Sequence, residues 1–155
     1  VLLLLGVLRT QPGCSQTLSV AAASGPVFLP GSGVSADWQG SLAVSIHKGG
    51  IGARLEGMYT GVPGADLVAL TGNLVWSFRR KSTTAFEPYL IAGLGTYVKF
   101  TEERFGLNGG VGVRRRAGSL RLFAEVRYHR VLHCFDEARE ADTFVPLSVG
   151  VSLGG

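Results

Sequence analysis

The side chains able to do chemistry in this 155-residue chain are few and spread along its length. Arg54, Glu56, Glu87, Lys99, Arg114, Arg121, Glu125, Arg127 and His129 all fall in segments where polar and apolar residues alternate. Carboxylates and guanidinium groups gathered on one face would make a charged solute path, an acid–base site or a set of mutual ion pairs. A buried charge is costly unless it is paired, so mutual pairing is the reading expected here. His129, His133 and Cys134 could meet at a rim, but their spacing is not that of a usual metal set. No metal and no other cofactor is expected.

Nucleophilic chemistry fares no better. Among small barrels that act on lipid, the lipid A deacylase family carries a His and a Ser two residues apart on a late strand. Here Val131 stands two residues after His129, and Phe135 two after His133. The nucleophile is missing, and no catalytic residue is expected. The formal charge of +4 forms no basic stripe, which argues against nucleic-acid binding.

The elements that must position these groups read as strands. Glycine accounts for 23 residues, roughly twice the usual ~7%. In helices each would cost about 1 kcal/mol relative to Ala, whereas a strongly curved sheet tolerates them. Period-two alternation, broken by Gly, Pro, Ser or charge clusters, places strands at 17–24, 37–47, 51–60, 66–79, 85–100, 105–116, 120–133 and 143–153. The connections are expected to run long, short, medium, short, medium, short, long, starting with a long loop at 25–36. Such alternation is the pattern of a membrane barrel with tight turns on one rim and longer loops on the other. Charge sorts the same way. Lys48, Arg79, Arg80, Lys81, Arg114, Arg115 and Arg116 fall on the short-turn side, which is read as free of acids. Asp37, Asp66, Glu102, Glu103, Asp136, Glu137, Glu140 and Asp142 fall on the long-loop side.

Residues 1–15 differ in kind. An apolar run at 1–8 is too short to span a bilayer as a helix, and small residues follow it near Gln16. This predicts a signal peptide, or a truncated one, over 1–15, with the barrel domain over 16–155. Its removal leaves Cys134 alone, so no internal disulfide is expected.

Alternation by itself fits two barrels, a lipocalin-like soluble one with apolar side chains inside and a membrane one with them outside. Two features favour the second. Aromatics on the apolar face lie near strand ends, with Trp38, Tyr59, Phe100 and Tyr128 toward the long loops and Trp76, Phe78 and Phe86 toward the short turns. That is a double interfacial girdle. The opposite face carries Gly93, Gly95, Gly106, Gly110, Gly112 and Gly150, which predicts a narrow lumen poor in bulk.

Asn73-Leu74-Val75-Trp76-Ser77-Phe78, Pro88-Tyr89-Leu90-Ile91-Ala92-Gly93-Leu94-Gly95, Phe105-Gly106-Leu107-Asn108-Gly109-Gly110-Val111-Gly112 and Phe123-Ala124-Glu125-Val126-Arg127-Tyr128 follow one another in order. Over residues 17–153 the chain resembles the outer-membrane β-barrel domain family of small OmpA/OmpX-type barrels. The resemblance implies an all-β, eight-stranded antiparallel up-and-down transmembrane barrel in the cell outer membrane. It also implies outer-membrane lipid as surroundings and recognition of the last strand by the barrel-assembly machinery, with Leu153 where an aromatic usually stands. The expected protein is a non-enzymatic monomer with a structural or surface-interaction role. Its lumen would be plugged by ion pairs among Arg54, Glu56, Glu87, Lys99, Arg114, Arg121, Glu125 and Arg127. A narrow solute channel and a soluble lipocalin-like ligand-binding barrel are the alternatives.

Overall fold

Strict alternation of inward and outward side chains can only be satisfied if the sheet has two chemically different faces and no open edge. The chain meets both conditions. The computed structural model describes residues 16–29, 36–62, 65–78, 86–99, 102–132 and 143–154. It contains eight strands: β1 (Thr17–Phe28), β2 (Ala36–Lys48), β3 (Ile51–Val62), β4 (Ala65–Ser77), β5 (Phe86–Lys99), β6 (Glu102–Ala117), β7 (Leu120–Val131) and β8 (Thr143–Leu153). Each pairs antiparallel with the next, and β8 closes on β1. Every strand reaches the roughly 9–11 residues that a tilted strand needs to cross a hydrocarbon core. Following the registers around the wall, a path leaving β1 at Thr17 returns to it at Val27. That stagger tilts the strands and sets the bore.

Two turns have evident local causes. Gly49 and Gly118 each open a two-residue turn, between Lys48 and Ile51 and between Ala117 and Leu120, at φ 65°. Primed hairpin turns require positive φ at that place, which glycine supplies without steric cost. The remaining connections correct the sequence expectation. The medium loops expected at 61–65 and 101–104 reduce to 63–64 and 100–101 between their strands, while 78–85 on the short-turn rim is longer than either. The β3–β4 ladder runs on to Val62↔Ala65 and the β5–β6 ladder to Lys99↔Glu102, which shortens the link within each hairpin. Glu87 also lies on the rim read as free of acids, where it pairs with Arg114.

β1 runs on to Phe28 through Gly25 and Pro26, which sequence reading assigned to a loop. The ladder with β8 explains how both fit. Partners run to Ser24↔Val149 and resume at Val27↔Pro146, so the missing Pro26 amide falls where the ladder is interrupted. A Cβ at Gly25 would collide with the Leu147 carbonyl, so the close approach of β1 and β8 depends on glycine there. Similarly, β6 starts at Glu102, ahead of the expected 105. Residues 1–15, Arg79, Arg80, Lys81, Phe100, His133, Cys134 and 136–142 lie outside the described residues.

The outer face is apolar. Leu42, Leu55, Leu74, Leu94, Val111 and Val149 are among the large side chains exposed on it, Leu42 at 68%. Its charged residues stand only near the rims among the described residues: Lys48 and Arg115 at the short-turn end, Asp66, Glu103 and Arg130 at the long-loop end. Water would penalise such a belt, and a hydrocarbon layer would not. The soluble lipocalin-like alternative is thereby overturned, because its apolar face would have to point inward.

Candidate functional site

With apolar groups outside, the barrel interior holds the polar chemistry, and it is layered along the axis. Inward parity on β3 gives Arg54 and Glu56, and on β7 gives Glu125 and Arg127. In an eight-strand order β3 and β7 stand on opposite sides, so these side chains reach toward each other across the bore. Arg-x-Glu on one wall faces Glu-x-Arg on the other. Arg54 Nη1 donates to Glu125 Oε2 at 2.9 Å. Arg127 donates to Glu125 through Nε and to Glu56 through Nη2. Tyr89 from β5 adds its hydroxyl, which donates to Glu125 Oε2 at 2.7 Å. Glu125 therefore accepts from three donors while 2% exposed. Repeated charge-assisted bonds of this kind are what allow ionised groups to remain in a low-dielectric interior.

Toward the short turns a second cluster forms. Arg114 clasps Glu87 with two bonds, Nε at 3.1 Å and Nη2 at 2.9 Å, and Nη2 also donates to Ser77 Oγ at 2.8 Å. Its Nη1 lies 3.5 Å from His47 Nε2. Arg121 lines the cavity beside this cluster. Lys99 stands at the other end of the barrel, in register with Leu67 and Glu102, and among the described residues no ion pair joins it to Glu56 or Glu125.

Toward the long loops the interior turns apolar, which sequence reading missed. Val27, Met58, Leu67, Ala69, Tyr97, Val131 and Phe144 form one buried cluster there. His129 stacks on Phe144 with ring centroids 4.6 Å apart, and its Nδ1 lies 2.9 Å from the Tyr97 hydroxyl. At 1% exposure His129 is walled into the bore. The interior is thus not poor in bulk as expected, since Tyr89, Ile91, Tyr97, Phe123 and Phe144 all point inward and are buried. The glycines make that possible. A Cβ on Gly112 would strike the Tyr89 ring, and one on Gly106 would meet the Tyr97 ring at 2.7 Å. Gly106 and Gly112 of β6 are thus each the seat of an aromatic ring from β5.

The aromatics of the outer face lie at two levels. Trp38, Tyr59 and Tyr128 are exposed toward the long loops, and Trp76, Phe78 and Phe86 toward the short turns. Phe28 and Phe105 join the first group, a contribution overlooked in the sequence. Trp76 and Phe78 stack at 5.8 Å, and the Arg115 guanidinium lies 5.3 Å from the Phe86 ring centroid. Arg130 is exposed beside Tyr128. Among the described residues no group of three His, Cys, Asp or Glu converges on one point.

No protein-family model matches the chain, and no curated protein matches it in sequence. Solved structures do match. Neisserial surface protein A superposes with a TM-score of 0.68 at 16% identity, over 91% of this chain and 98% of that one. A major outer membrane protein from Thermus thermophilus gives 0.61 at 15% identity, over 91% and 100%. The outer membrane enzyme PagL gives 0.55 at 13% identity, over 87% and 98%. At such identities the likeness is one of fold, and the fold is the eight-stranded outer-membrane β-barrel.

Proposed function

We propose that this chain is a non-enzymatic, non-conducting outer-membrane barrel that acts as a structural or surface-interaction protein. The observation that carries the reading is the Arg54–Glu125–Arg127–Glu56 set, which bridges opposite walls of the bore. The buried apolar cluster above it, at the long-loop end, supports the same conclusion. A pore would have to part both layers. Removing one partner of a buried ion pair leaves an uncompensated charge and costs about 3–5 kcal/mol, so opening is strongly disfavoured.

The fold carries an enzyme in PagL, so the absence of activity is argued from this chain's own residues. His129 is buried in the bore against Phe144 and Tyr97, away from the lipid-facing surface, and Val131 stands two residues beyond it. Outer-membrane lipid is the partner that the charge-free belt fits. The last strand, ending at Leu153, is the segment we assign to the barrel-assembly machinery, and the chain acts as a monomer.

Fractionation of cells that make the protein tests the placement. The expected result is recovery in the outer-membrane fraction, with a band whose gel migration shifts on boiling. Purification as a soluble monomer without detergent would rule out the membrane placement.

A further inference from the structure

Toward the long loops three oxygen-bearing side chains share one patch of the inner wall. Asp37 and Gln39 stand two residues apart on β2, both at inward parity. Thr60 of β3 is in register with Gln39. Opposite side chains on neighbouring strands lie about 4.5–5.5 Å apart at Cβ and diagonal ones about 7–8 Å, so the three can reach a common point. Each brings an oxygen that is shut off from solvent and has no hydrogen-bond partner: Asp37 Oδ2, Gln39 Oε1 and Thr60 Oγ1. Gln39 is 3% exposed and Thr60 0%, whereas Asp37 is half-buried, so the patch is reached from the long-loop rim. The Gln39 amide is already committed on its other side, where Nε2 donates to Ser148 Oγ. Its carbonyl can only accept.

Charge singles out the same place. Glu56, Glu87 and Glu125 inside the bore each face an arginine. Asp37 makes no ion pair with any described residue. Of the inward cations at its end, Arg104 is held by Glu102, and Lys99 stands two strands beyond Thr60. Buried polar atoms in folded proteins are rarely left unsatisfied, so three unpartnered oxygens on one patch point to a positive group that they share. A carboxylate, an amide carbonyl and a hydroxyl are oxygen donors that suit a hard cation. Calcium takes such donors in irregular geometry at about 2.3–2.6 Å and fills its open positions with water. We propose that Asp37, Gln39 and Thr60 form a site for a free divalent cation of the calcium class, entering from the long-loop side. Contacts of that length are shorter than those of a hydrogen-bonded water, so the ion needs no more room than one water. With a single carboxylate the affinity falls in the range of weak extracellular calcium sites, about 0.1–1 mM.

Isothermal titration of calcium chloride into the full chain, folded in dodecyl maltoside under excess potassium chloride, reads the site directly. Saturable binding is expected, weakened about tenfold or more by Asp37→Asn, since even partners that only orient a metal ligand cost about 10–100-fold when lost. Calcium held by acids elsewhere on the rim, such as Asp66 and Glu103, would not respond to that change. Folding of each variant is checked by the boiling-dependent gel shift. No saturable binding by the wild type, or equal affinity in folded Asp37→Asn, overturns the proposal. Should Asp37→Asn fail to fold, Thr60→Val decides, because it keeps the shape of the side chain and removes its oxygen. Weaker calcium binding then supports the site, and unchanged affinity overturns it.

Discussion

Arg54 on β3 and Glu125 on β7 meet at 2.9 Å although their strands stand on opposite sides of the barrel. Glu125 also accepts from Arg127 and Tyr89, whereas Glu56 accepts from Arg127. Glu125→Ala therefore orphans more donors than Glu56→Ala does. We expect Glu125→Ala to cost about 3–5 kcal/mol, the range for breaking a buried pair, and Glu56→Ala to cost less. Urea unfolding in micelles, followed by the gel shift, ranks the two. Equal losses would show that the network does not centre on Glu125.

The seat of Tyr89 over Gly112 gives a second expectation. Gly112→Val places carbon where the ring lies, and overpacking of this kind typically costs about 1–3 kcal/mol. Tyr89→Ala empties the seat and also removes the hydroxyl bond to Glu125. The double variant should lose less than the sum of the single ones, since residues in contact couple. Strict additivity would place the ring elsewhere.

Depth across the outer belt supplies a third. Leu55 lies midway along β3 and Ile51 at its short-turn end, both pointing outward. Leu55→Arg should destabilise the folded barrel in bilayers by about 2–4 kcal/mol, and Ile51→Arg by about 0–1 kcal/mol. Equal effects at the two positions would contradict a lipid belt centred near Leu55.

The chain's two tryptophans report on the rims. Trp38 stands exposed toward the long loops at 65%, and Trp76 toward the short turns at 59%. In vesicles both should be quenched better by bromines placed near the lipid glycerol than by bromines near the chain ends. Deeper quenching of either would move that aromatic out of the interface.

Parity was the most legible feature of the sequence, because a strict period of two leaves only one way to divide each strand between lipid and lumen. Arg54, Glu56, Glu125 and Arg127 could accordingly be assigned inward from the text alone. Their pairing across the bore could not, since it depends on the stagger that carries Thr17 around to Val27. The aromatic interior was hidden for a related reason. Gly106 and Gly112 look like empty space in one strand. The β5–β6 register sets Tyr89 opposite Gly112, and the folded packing lays the Tyr97 ring, whose own register partner is Arg104, over Gly106. Gly25-Pro26 misled in the opposite direction, because loop-type residues were serving a strand at a break in its ladder.

The central claim is a membrane barrel whose bore does not conduct, and planar-bilayer recording of the folded wild-type protein tests it most directly. No current steps above the bare-membrane leak are predicted, with the Arg54–Glu125 bridge and the cluster around Tyr97 and Phe144 in place. A steady open pore, with regular steps that scale with salt concentration, would contradict it.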